Sequence, residues 1–225
     1  MTSLPSRRNL LGKAVAAAGG ALLLSQTGRA IAAPQAAARA ALLPEIGQTI
    51  NLSLNAFGTT LAVHLPPPLP TLNFIGSVVQ KVLIGGQNFV RLQTLDFTME
   101  AHHPLYGKIT LHLPDDDVTP ASILSSSADG LTETWLESFK ATFERNGDAP
   151  GPFTYETLEP AKWVASNLPQ YPPPAQGMNP DGSPTGGALF QLQAPIRLGT
   201  VSSSGIKTTH AQLQGMNVNQ GQRLA

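Results

Sequence analysis

What most constrains this chain is a two-residue alternation of apolar and polar side chains. It starts after Pro44 and is interrupted by Pro or Gly about every ten to fifteen residues. Successive strand residues point to opposite faces, so this alternation gives one buried and one solvated face. No long segment holds the 3.6-residue apolar period of an amphipathic helix. The chain is therefore expected to be all-β, a single antiparallel β-sandwich or barrel-like domain over 44–214 with long Pro/Gly-rich loops.

Particular strands follow from the same pattern. Ile50, Leu52 and Leu54 alternate with polar residues, as do Leu61, Val63 and Leu65, and Gly58 between them suggests a hairpin turn. Phe89 to Ala101 is the longest candidate. Its partner is Lys108 to Leu113, across a His103-Pro104-Leu105-Tyr106-Gly107 turn. That hairpin sets Glu100 opposite Thr110, Thr98 opposite His112 and His102 opposite Lys108. Thr132 to Glu144 reads as strand, because Trp135, Phe139, Ala141 and Phe143 are all odd-numbered. Pro160 to Asn167 reads as a short helix with proline in its first turn. Two C-terminal strands, Leu189 to Val201 and Ile206 to Leu213, flank a Ser202–Gly205 turn, and 215–225 reads as a flexible tail. Pro66-Pro67-Pro68-Leu69-Pro70 is expected to run as polyproline II. The segment Tyr171 to Gly187 is a long loop, the place to look for a lid or an interaction segment.

The N-terminus differs in kind. Ser6-Arg7-Arg8-Asn9-Leu10-Leu11-Gly12-Lys13 precedes an Ala/Gly-rich apolar run from Ala14 to Leu24, then a polar stretch with Arg29, then Ala30-Ile31-Ala32. A basic head, a short apolar middle and a small-residue cleavage site make a secretory signal. The apolar run is too short to span a bilayer. With Arg7 and Arg8 adjacent, the leader resembles a twin-arginine (Tat) signal. The mild, glycine-containing middle and Arg29 beside the cleavage site fit that route. The likeness covers residues 1–32 and leaves an Ala-rich lead-in over 33–43. It implies folding before export by the Tat machinery, cleavage at Ala30-Ile31-Ala32, a periplasmic or extracellular location, and no transmembrane anchor after cleavage. Phe89 to Leu113 is faintly similar to exported bacterial β-rich proteins of unknown function, a likeness that bears on fold class alone.

Charge and composition exclude several classes. The 225 residues carry 14 Lys+Arg and 14 Asp+Glu. Loss of Arg7, Arg8, Lys13 and Arg29 with the leader leaves 10 basic against 14 acidic residues, a net charge of −4. That is not a nucleic-acid binder. Cysteine is absent, which removes disulfides, thiolate catalysis and cysteine-based metal sites. No Gly-x-Ser-x-Gly elbow or Ser-x-x-Lys start occurs.

One side-chain group offers chemistry. Glu100, His102 and His112 share a face of the expected hairpin, and Asp115, Asp116 and Asp117 follow it. Imidazole and carboxylate together suit a divalent metal. Aromatic residues Trp135, Trp163, Tyr106, Tyr155 and Tyr171 are candidates to line a ligand or partner surface. The expected function is a non-enzymatic binding or accessory protein with an unidentified ligand or protein partner. The alternatives are a metal-dependent exported enzyme and a structural or assembly subunit.

Overall fold

The computed structural model describes residues 43–63 and 68–223. The segment 1–32 expected to be a leader, with Arg7, Arg8, Ala30 and Ala32, lies outside the described residues. So do the lead-in up to 42 and part of the proline run. Among the described residues there are fifteen strands and no helix, so the all-β expectation holds.

Three long strands organise the rest: β1 (Thr49–Ala62), β2 (Thr71–Gly86) and β3 (Phe89–His103). They form an antiparallel ladder. Each flanking strand then divides its length between two partners. The later part of β1 pairs with β14 (Lys207–Gln214) and the earlier part with β15 (Val218–Gln222). The later part of β3 pairs with β4 (Gly107–His112) and the earlier part with β5 (Ser122–Ser127).

Two closed rings result. The first runs β1-β2-β3-β4, then β7 (Lys140–Asn146), β8 (Ala149–Thr157), β13 (Ile196–Val201) and β14, and back to β1. The second runs β1-β2-β3-β5, then β6 (Gly130–Glu137), β9 (Ala161–Leu168), β12 (Ala188–Leu192) and β15. Closure leaves no edge strand in either ring. The inward residues of both belong to one continuous apolar core. The interiors meet at Phe97, whose ring is 6.1 Å from Trp135 and 5.7 Å from Phe139.

Several local expectations change in this setting. Gly58 does not turn a hairpin: β1 continues through it, with a bulge between Ala56 and Thr59 and Gly58 at φ 76°. A bulge uses the same left-handed glycine as a turn, so the residue alone does not separate them. Pro160 precedes strand β9, where Ala161, Trp163 and Ala165 face the core. Proline is tolerated at a strand start, and pairing with β6 and β12 overrides a weak helical pattern. The single strands expected over Thr132–Glu144 and Leu189–Val201 each break in two where the chain crosses between rings. Residues 218–222 are no flexible tail but a strand that closes the second ring, with Val218 and Gln220 fully buried. The Tyr171–Gly187 loop carries a small hairpin, β10 (Gln176–Met178) with β11 (Pro184–Gly186).

Gly76 marks the tightest approach of β2 to β3. A Cβ there would meet the Thr98 carbonyl and lie 2.7 Å from Met99 Cα, both backbone. Gly76→Ala is expected to lower stability by about 3 kcal/mol, the upper range for a point change. Urea denaturation measures it, and a loss below about 0.5 kcal/mol would mean that the two strands separate freely there.

Candidate functional site

The metal candidates are placed first. The hairpin register is as expected: Glu100 faces Thr110, Thr98 faces His112 and His102 faces Lys108. The side chains nevertheless do not form a ligand set. Glu100 Oε1 pairs with Lys108 Nζ at 2.6 Å, and Asp115 Oδ2 pairs with Lys140 Nζ at 2.6 Å, which holds the Asp115 carboxyl below its usual range. Asp117 Oδ1 accepts the Thr119 backbone N–H. Among the described residues no three His, Asp or Glu side chains converge to hold a metal, and Asp116 joins no such group. Sharing a strand face sets neighbours, but lysines on adjacent strands took the carboxylates. The structure thus does not bring Glu100, His102, His112 and Asp115–Asp117 together as one ligand set among the described residues.

The structure assembles a different site, at one end of the first ring. A cup of about 250 Å³ is lined by Tyr106, Phe143, Arg145, Phe153, Tyr155 and His210, among others. Tyr106 comes from the β3–β4 turn, Phe143 and Arg145 from β7, Phe153 and Tyr155 from β8. Phe143 pairs with Phe153 across the ladder, which sets both on the inner face.

His210 arrives by a bulge. β13 steps from Leu198 to Gly199 while β14 steps from Ala211 to Thr209, so His210 is the extra residue. A bulge re-aims one side chain, and here it stacks the imidazole on Tyr155 at 5.0 Å. The ring is held from its other side by Thr200 Oγ1, 3.1 Å from Nε2. Tyr106 stands edge-on to Phe143 at 5.9 Å, and Phe143 lies 5.9 Å from Tyr155.

The cup therefore has aromatic walls with polar groups at set places. Burial pushes the Tyr106 phenol up, and its hydroxyl has no hydrogen-bond partner among the described residues. Arg145 donates from Nη2 to the Pro104 carbonyl at 2.8 Å and pairs with no carboxylate among the described residues. An apolar concavity with a few such groups is the usual form of a small-molecule site. Tyr106 and Tyr155 were visible in the sequence as ligand-lining candidates. His210 was not, because only the bulge puts it there.

The second ring holds the other polar concentration. Glu133, Trp135 and Glu137 follow one another on the inner face of β6, all fully buried. Glu133 Oε1 accepts Gln80 Nε2 at 3.4 Å, and Gln80 Oε1 accepts the Tyr171 hydroxyl at 2.5 Å. Glu137 Oε2 accepts Thr94 Oγ1 at 2.6 Å and Trp135 Nε1 at 3.2 Å. Desolvation pushes both carboxyls up to about 8, so they are mostly protonated at neutral pH. Trp135 stacks on Trp163 at 4.5 Å, and Tyr171 is buried beside Gln80. These aromatics are core, not a ligand surface.

Against known proteins, the chain matches no family model and no curated protein. Among solved structures it is similar to DynF from the dynemicin biosynthesis pathway of Micromonospora chersina. The TM-score is 0.59 at 20% identity, covering 81% of this chain and 83% of that one. At that identity the likeness is one of fold, a large antiparallel barrel-like sheet.

The buried carboxyls set a pH dependence. The folded state keeps their protons up to about pH 8, while the unfolded chain releases them near 4.5. The unfolded state thus binds fewer protons across that window, and stability falls as pH rises through it. The double variant Glu133→Gln, Glu137→Gln is expected to flatten that fall. Thermal midpoints measured from pH 5 to about pH 8 check it; an unchanged slope would assign the dependence to other groups.

Proposed function

We propose that this protein is exported and binds a small, flat, largely apolar organic molecule in the cup of the first ring. The observation that carries this reading is the cup itself. It combines four aromatic side chains with an Arg145 that has no carboxylate partner among the described residues. Aromatic walls favour a planar body by stacking and by the area they remove from water. A guanidinium at the lining favours an acidic or strongly accepting group on the ligand.

The role is binding rather than turnover. Among the described residues His210 brings the one imidazole to the lining, and its Nε2 is committed to Thr200 Oγ1. Among the described residues the cup contains no nucleophile–base pair of the kind acyl or glycosyl transfer needs. Export rests on the Arg7-Arg8 leader, which resembles a twin-arginine signal and implies a chain folded before translocation. A closed double ring with many long-range pairings suits such a passenger, because every strand needs distant partners before it is stable.

Two measurements test the two halves. 2-Naphthoate supplies a flat body with one carboxylate, and isothermal titration of the full chain is expected to detect it. Tyr155→Ala and Arg145→Gln are each expected to weaken it about tenfold, or 1.4 kcal/mol. Unchanged affinity in Tyr155→Ala would overturn the cup as the site. The double variant Arg7→Lys, Arg8→Lys is expected to accumulate uncleaved inside the cell, and normal export of that variant would overturn the twin-arginine reading.

A further inference from the structure

The cup of the first ring has two polar ends, and a β-bulge stands beside each. On β14, Ala211 and Leu213 face the core, so a regular strand would turn His210 outward. Because His210 is the extra residue against Leu198 and Gly199, it and Ala211 both line the cup. At the other end Phe143 pairs with Phe153 and Arg145 with Pro150, so Gly151 and Pro152 of β8 oppose Glu144 alone. Bulges re-aim side chains and gather beside binding sites, and here one stands next to each polar group.

A row of rings runs between these ends. His210 stacks on Tyr155 at 5.0 Å, and Tyr155 lies 5.9 Å from Phe143. Arg145 follows Phe143 by two residues, about 7 Å of strand. The strands that carry the two ends, β7 and β14, are separated by β8 and β13 in the closed ring. A flat molecule lying along the row thus has the guanidinium toward one end and the imidazole toward the other.

Both ends have donors to spare. Arg145 is exposed and gives Nη2 to the Pro104 carbonyl, and a guanidinium carries several more N–H groups in a fork that suits a carboxylate. His210 is half-buried, and its Nδ1 has no hydrogen-bond partner among the described residues. The Thr200 hydroxyl can donate to a neutral Nε2 or accept from a protonated one, and in both states Nδ1 carries a hydrogen. Among the described residues no carboxylate lines the cup, so a second anionic group meets no like charge there. Glu144 and Glu156, the acids next to Arg145 and Tyr155 in sequence, are engaged by the Lys108 backbone N–H and by Lys140.

Resting on the cup as the ligand site, we infer that its ligand is a flat dicarboxylate, one carboxylate on Arg145 and the other on His210, with the aromatic row along its body. Anchors at separate ends read length as well as charge, because a monoacid satisfies one of them and leaves the other to water.

Isothermal titration of the full chain with 2,6-naphthalenedicarboxylate, beside 2-naphthoate and 6-hydroxy-2-naphthoate, tests the inference. The diacid is expected to bind at least tenfold more tightly than either monoacid, which exceeds the statistical advantage of a symmetric ligand. His210→Phe keeps a ring on Tyr155 and removes both nitrogens. With an unchanged circular dichroism spectrum, it is expected to bring the diacid to within about threefold of 2-naphthoate. The readout is that ratio, which a general loosening of the cup leaves at its wild-type value. A diacid no tighter than 2-naphthoate overturns the inference and leaves the cup reading standing. So does equal binding by the hydroxy acid, or a tenfold advantage retained in His210→Phe. Failure of all three molecules to bind at millimolar concentration overturns the cup reading along with the inference.

Discussion

The shared antiparallel ladder of β1, β2 and β3 is the constraint on which the rest depends. Each strand is long enough to serve two rings, and β1 and β3 change partners partway along. Backbone N–H and C=O groups must be paired when buried, so a strand that leaves one partner must find another. The bulge at Ala56–Thr59 lies where β1 passes from β15 to β14. Extra residues of this kind increase twist and bend a strand, which lets one sheet curl into two closed bodies.

Crossing between the rings makes them one cooperative unit. The chain passes from one ring to the other five times, at β4–β5, β6–β7, β8–β9, β12–β13 and β14–β15. Neither ring has a contiguous sequence, and Phe97, Trp135 and Phe139 fuse their interiors. Buried Glu133 and Glu137 are held within that core by Gln80, Tyr171, Thr94 and Trp135, with burial rather than ion pairing setting their protonation. A buried acid kept neutral acts as an ordinary hydrogen-bonding group, and its cost appears only when it ionises.

Strand content was readable because alternation is local. Phe97, Met99 and Ala101 on one face, and the Thr98–His112 register across the hairpin, follow from a period of two and a turn at Pro104–Gly107. Partner choice was not readable, because it is decided by residues far apart. Glu100 and Asp115 looked like ligands until Lys108 and Lys140 were seen beside them. Tyr155 was a visible aromatic, but its stacking on His210 needs a bulge at His210 on β14, opposite Leu198 and Gly199, that leaves no mark in the alternation.

The sequence by itself determined the all-β class, the absence of cysteine chemistry and the near-balanced charge. These rest on composition and on the geometry of one extended residue. The resemblance of residues 1–32 to a twin-arginine signal is likewise a matter of adjacent residues. Only the tertiary structure decided that β1 and β3 serve two rings and that 218–222 closes one of them. It alone brought Tyr106, Arg145, Tyr155 and His210 to one cup. The physical reason is that strand pairing joins residues without regard to their separation in sequence. A cavity in a closed sheet exists only after the last pairing has formed.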